Sequence, residues 1–241
     1  MKTFFIVLIL ISSALAAIFM NIESPQEKIQ KNVSEKESST LQARINQNLS
    51  LMRRITKEAD IKQSYLFKLN SDFLMQALEG KPFLSKEFIG EYEELNNIVN
   101  QTAQSIQTNT PHLYQDIHIM EAHIEKFDKK IKSIGLSELK INWYAMQKSY
   151  RQFLREPNVH ELKNYQSKLI QTKKIITELY LDDEDETYLF EFLARHNDVF
   201  TSFDIVYKDV GLQRIHKLKP LMYALKEEMQ LNPSLFKEPL L

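Results

Sequence analysis

From position 113 the apolar side chains fall at Leu113, Ile117, Met120, Ile124, Phe127, Ile131 and Ile134, in alternating steps of four and three. Only a helix, with ~3.6 residues per turn, puts residues at that spacing on one face. The same period returns at Leu139, Trp143, Met146, Tyr150 and Phe153, and again at Leu189, Phe192, His196, Val199, Phe203, Val206 and Val210. Weaker stripes run through Phe88, Tyr92, Leu95, Val99 and Ile106, through Leu162, Tyr165, Leu169, Ile176 and Leu179, and through Ile215, Leu218, Met222, Leu225 and Met229. A chain patterned this way has to bury one face of each helix against other helices.

Punctuation agrees with the period. Ile45, Met52, Ala59, Leu66 and Phe73 recur every seven residues, which predicts one long helix over 40–79, about 60 Å at ~1.5 Å per residue. Gly80 and Pro82 end it, Ser85 caps the next, and Thr110-Pro111 opens the third, which Gly135 stops. Ser137 starts a fourth and Pro157 closes it; Asn158 with Glu161 caps a fifth. Gly211 ends a sixth, and Pro220 kinks or breaks a seventh. The chain holds only four glycines, too few for the tight turns of a sheet protein this long. The fold class is therefore all-α. We expect an antiparallel helical bundle of about six or seven helices behind an N-terminal hydrophobic segment. The bundle spans 41–231, as one body or as two sub-bundles, with a tail at 232–241.

The start of the chain bears on where that bundle works. Lys2 precedes an apolar run over 4–20, opening on Phe4 and closing on Met20, about 25 Å of helix at ~1.5 Å per residue. Ala14-Leu15-Ala16 fits the small-x-small pattern of a cleaved signal peptide, yet Ile18-Phe19-Met20 carries the apolar run past it. Residues 21–40 mix lysine, glutamate and serine without a period and read as a polar spacer. A spacer suits a retained anchor, so we favour a signal-anchor at 1–20 over cleavage near Ala16. With the positive end first, an anchored amino terminus lies in the cytoplasm and the body outside it, as at a bacterial inner membrane.

Composition removes several chemistries. Lysine plus arginine number 31 against 32 acids, so no global charge draws nucleic acid. The absence of cysteine excludes disulfides, thiolate nucleophiles and Cys-ligated metals. No histidine has another three or four residues away or a glutamate three before it, which excludes the paired Glu-x-x-His of dimetal bundles. His118 with Glu121 is a single i, i+3 pair and makes no metal site alone. No phosphate loop, dinucleotide fingerprint or Gly-x-Ser-x-Gly occurs. We expect no cofactor, no metal and no catalytic residue. The sequons at Asn32, Asn48 and Asn100 carry meaning only in a eukaryotic secretory path.

The candidate contact residues are few. Asp182, Asp183, Glu184, Asp185 and Glu186 run together ahead of an apolar stripe, as acids do at a helix start. Contiguous acids without a glycine bend are not a calcium loop, though they offer a surface to a basic partner. Arg195 and His196 sit within the most aromatic stripe, where His196 is either a hydrogen-bonded core histidine or a group facing a ligand. Asn48, Lys62 and Gln76 interrupt the seven-residue seam of the first helix. They either drift to solvent or line a wet seam beside Arg53 and Arg54, a candidate anion site.

Two functions fit this inventory. The first is a non-enzymatic scaffold, tethered or exported, that works through another protein. The second is an extracytoplasmic bundle that senses a small ligand and signals through a partner chain. Its layout is similar to that of the extracytoplasmic domains of bacterial chemoreceptors and sensor kinases, a likeness of layout that no residue motif carries. A scaffold calls for a continuous exposed surface and no deep pocket. A sensor calls for a pocket between helices lined by Arg53, Arg54 or His196.

Overall fold

In a computed structural model of the chain the described residues are 40–79 and 85–236. Among them the chain is all-helical, with no strand. The apolar stretch 4–20 and the spacer over 21–39 lie outside the described residues, and within them no helix is long and apolar enough to cross a membrane.

The expected long first helix is two helices. Helix α1 spans Leu41–Glu58, with the Thr40 side chain accepting from Ala43 N at 3.3 Å. It ends at Ala59, which adopts left-handed backbone with φ 54°. A 3-10 turn at Ile61–Gln63 follows, and then α2 at Ser64–Glu79. Arg54 fastens the break: its guanidinium donates to buried Asp60 Oδ2 at 2.6 Å, and its carbonyl accepts from Asp60 N at 3.1 Å. Past the break the buried set of α2 becomes Phe67, Asn70, Ser71, Leu74 and Leu78, while Phe73, projected into the seam, is 40% exposed. The turn resets the helical phase, so a seam carried across it by sevens points the wrong way.

The next helices follow the predicted stripes closely. Helix α3 is Lys86–Asn109, capped by the Ser85 hydroxyl accepting from Phe88 N at 3.0 Å. Helix α4 is Leu113–Ile134; Thr110 does not cap it, and its buried hydroxyl oxygen has no partner. Gly135 closes α4 at φ 75°, a conformation glycine reaches without the Cβ clash of other residues. Helix α5 is Ser137–Arg155 and α6 is Val159–Glu178, where the Asn158 side chain accepts from Glu161 N at 2.9 Å. Helix α7 is Asp183–Val210 and α8 is Leu212–Leu231. Gly211, at φ 97°, joins α7 to α8 as the single residue between them. Helix α8 runs through Pro220 without a break.

The core is one continuous apolar cluster reaching from Leu41 to Phe236. Its aromatic centre lies where α4, α5, α6 and α7 meet: Phe127 stacks on Phe192 at 4.1 Å, and Tyr165 on Phe200 at 3.8 Å. The expected tail begins with a helical turn at Pro233–Phe236, whose Phe236 is fully buried 5.4 Å from the Phe88 ring.

Candidate functional site

Helices α1, α5 and α8 line a half-open cleft of about 580 Å3. Its floor is apolar, with Met52 from α1, Leu154 from α5, Tyr207 from α7, and Ile215, Leu218 and Met222 from α8. Its rim is basic. Arg53 and Lys57 stand one turn apart on the flank of α1; Arg155 ends α5; Lys219 and Lys226 stand two turns apart on α8. A cation in the last turn of α5 is favoured by the helix dipole.

The rim is short of counter-charge. Among the described residues Glu156 is the only carboxylate lining the cleft, and it accepts from His216 Nε2 at 3.1 Å. That hydrogen bond is the main reason the Glu156 carboxyl sits below its ordinary range. Among the described residues Arg53, Lys57, Arg155 and Lys226 form no ion pair or hydrogen bond. Burial of Lys57, and then the positive charges of Arg53, Arg155 and Lys219, hold its ammonium below the usual lysine range. Those charges converge in space, and the chain as a whole carries a net charge of only −1. The cleft therefore concentrates positive potential that the rest of the molecule balances elsewhere.

Tyr207 ties the floor together. Its hydroxyl donates to the carbonyl of Thr56 at 3.1 Å, linking α7 to α1. Burial pushes the phenol well above its ordinary pKa, so it stays neutral.

A second cavity of about 350 Å3 lies along α4 and α5 and shares Arg155 with the first. Lys148, Arg151 and Arg155 line it at steps of three and four along α5, together with Asp128 and Gln147. Asp128 accepts from the indole nitrogen of Trp143 at 2.6 Å, so its charge is engaged.

The sequence candidates divide between these places. Arg53 lines the cleft, whereas Arg54 is bound to Asp60 and Glu58 and serves the α1–α2 break. Asn48 does not drift to solvent: its amide donates to Ser71 Oγ at 2.7 Å and to the Tyr92 hydroxyl at 2.6 Å, wholly buried. The three do not form one seam: Asn48 belongs to a buried polar network, with its Oδ1 unpartnered, whereas Lys62 and Gln76 are exposed. His196 is fully buried and does not line the cleft. Gln147 Nε2 donates to its Nε2 at 2.6 Å, which leaves the ring proton on Nδ1, 2.7 Å from the Tyr165 hydroxyl. Burial pushes the imidazole down to about 3, so it is neutral and pins α5, α6 and α7 together. Arg195 beside it faces solvent.

The acidic run works as a helix start and a clamp. Asp182 accepts from Asp185 N at 2.8 Å, and the Asp185 carboxylate pairs with Lys130 of α4. Asp183 and Glu186 border a shallow depression with Glu191, and Glu184 is exposed. Among the described residues no three His, Asp or Glu side chains are placed to hold a metal ion. His118 is exposed, edge-on to the Tyr114 ring at 4.4 Å.

Sequence reasoning missed Lys57, Arg155, His216, Lys219 and Lys226. The available signal was the pair Lys219 and Lys226, two turns apart and flanking Met222, on a helix that also carries an interior proline. Comparison of the chain with protein-family models, with curated proteins and with solved structures yields no match.

Proposed function

We propose that the protein is a non-enzymatic, ligand-binding helical bundle that works outside the cytoplasm. In this reading the full chain is an antiparallel bundle behind an N-terminal hydrophobic segment. The run 4–20 holds it to a membrane, or exports it with cleavage near Ala16. The α1–α5–α8 cleft receives an anionic ligand, and binding is passed to a partner chain.

The observation that carries the reading is the set of unpaired cations around one apolar-floored cleft. Clefts of roughly 300–1,000 Å3 with a mostly apolar lining and a few placed polar groups are the usual form of small-molecule sites. Four cations without counter-charge oppose folding by mutual repulsion, and an anion relieves it. A pure scaffold has no need of such a cleft. The groups on its rim attract and hold an anion, and they supply no nucleophile activated by a neighbouring base.

The full chain isolated from membranes tests this, with mass analysis of the small molecules it carries and of its own amino terminus. The expected result is an acidic small molecule retained by the native chain and lost from the double variant R53E/R155E. A chain that retains no acidic small molecule returns the reading to a partner-binding scaffold. A body digestible by protease only after cell lysis places it in the cytoplasm and overturns the location.

A further inference from the structure

The cleft is larger and greasier than a simple anion requires. Inorganic phosphate or sulfate is bound by converging donors in a small polar site, often at a helix N-terminus. Here Lys57 lies within the fields of Arg53, Arg155 and Lys219, and Lys226 stands two turns further along the rim on α8. The space beyond them is walled by Met52, Ile215, Leu218 and Met222, and bounded by the ring of Tyr223, which is 63% exposed. A small anion would neutralise the rim and leave most of a cleft of about 580 Å3 to water. Both halves of the cleft are used only by a molecule that is charged at one end and apolar along its length. Methionines at Met52 and Met222 suit an occupant of variable shape, because an unbranched thioether repacks easily.

We infer that the ligand is a single-chain amphiphile with an anionic head group, its head among Arg53, Lys57, Arg155 and Lys219 and its chain on the apolar floor of Met52, Ile215, Leu218 and Met222. This inference rests on the anionic-ligand reading of the same cleft. The head group is phosphate, sulfate or carboxylate, which share the charge and the acceptor oxygens that arginine and lysine recognise. The molecule enters as a monomer, since a cleft of about 580 Å3 between helices holds one chain.

The test uses the full chain in discs of neutral phosphatidylcholine, with empty discs subtracted, and four probes. These are inorganic phosphate, butyl phosphate, octyl phosphate below its micellar concentration, and octyl glucoside. Octyl phosphate is expected to bind tightest, with affinity rising about two- to fourfold per added methylene from butyl to octyl. R53Q/R155Q is expected to weaken both alkyl phosphates alike. M222Q is expected to flatten the chain-length dependence while leaving butyl phosphate unchanged, a result that a folding defect does not give. Equal affinity for phosphate and octyl phosphate overturns the amphiphile and leaves the anion cleft standing. Binding of octyl glucoside as tight as octyl phosphate overturns the head-group assignment. No binding by any phosphate probe overturns the inference and the anionic-ligand reading together. Phosphatidylglycerol vesicles are a fifth probe: binding to them without binding to monomeric octyl phosphate overturns the monomer and makes the cleft a membrane-facing surface.

Discussion

Asn48 Nδ2 donates to Ser71 Oγ at 2.7 Å across 23 positions of helix-forming sequence. In one straight helix residues so far apart would lie about 35 Å from each other. The bond exists because α1 and α2 fold against one another, and Asn70 Nδ2 donating to Gln47 Oε1 at 3.0 Å marks the same reversal. Asn48 also reaches Tyr92, and Ser71 donates to Asn96 Oδ1 at 3.0 Å, so α1, α2 and α3 share one buried network. Replacing Asn48 by alanine takes a buried donor from the Ser71 and Tyr92 hydroxyls. Urea unfolding of Asn48→Ala is expected to report a loss of about 1–3 kcal/mol. A cycle with Ser71→Ala is expected to show a coupling above about 0.5 kcal/mol; strict additivity would mean the bond contributes nothing.

Tyr180 lies just past the end of α6 at φ 49° and is 96% exposed. Left-handed backbone strains a residue with a Cβ, and this side chain buries almost nothing in return. Tyr180→Gly is expected to stabilise the protein by about 0.5–1 kcal/mol, seen as a higher melting temperature. A lower one would show that the tyrosine holds the link in place.

His196 sets an acid limit on stability. Its folded pKa is pushed down to about 3, below the ordinary 6.5, so the unfolded chain binds a proton that the folded one refuses. Stability therefore falls as pH drops from 6.5 toward 3, by up to ~1.4 kcal/mol per pH unit, and this contribution is constant outside that window. The His196 ring protons are expected to show no titration by NMR between pH 5 and 8. The stability curve of His196→Gln is expected to be flatter over the acid window than that of the native chain. Parallel curves would mean the imidazole is protonated in place.

Lys57 acts in the same direction at alkaline pH. Its folded pKa lies below the ordinary 10.5, through burial and then through Arg53, Arg155 and Lys219. The folded chain releases that proton first, so stability rises with pH from the folded pKa up to 10.5. Lys57→Gln is expected to raise ligand-free stability slightly, within about 0.5 kcal/mol because the group is largely exposed. The gain should shrink in high salt, since screening already weakens the repulsion. The same variant is expected to bind octyl phosphate more weakly, and improvement in both properties would dissociate the lysine from the cleft.

Asp182 satisfies the first turn of the longest helix by accepting from Asp185 N. Asp182→Ala is expected to cost about 0.5–2 kcal/mol, and Asp182→Asn much less, because asparagine caps as well as aspartate does. Thermal melts of the two variants decide between a cap and a docking surface. Equal loss in both would assign the role to the negative charge.

The all-helical class, the stripes of α4, α5 and α7, and most helix ends are local properties. The spacing of Leu113 through Ile134 or of Leu189 through Val210 depends only on the pitch of a helix, and so the sequence determined them by itself. The acidic start of α7 was legible for the same reason, since a cap and a dipole act within one turn. The break at Ala59 was not. No glycine or proline marks it, and the left-handed residue is tolerated because Phe67, Leu74 and Leu78 gain a core by folding back, which is a long-range gain. The same holds for Asn48 and for His196, whose partners lie 23 to 49 positions away. The cleft is the plainest case. Arg53, Arg155 and Lys219 each look like ordinary solvated cations on their own helices. Only the packing of α8 on α3 and α7, which sets it across the cleft from α1 and the end of α5, collects them over one apolar floor, and no local pattern encodes that convergence.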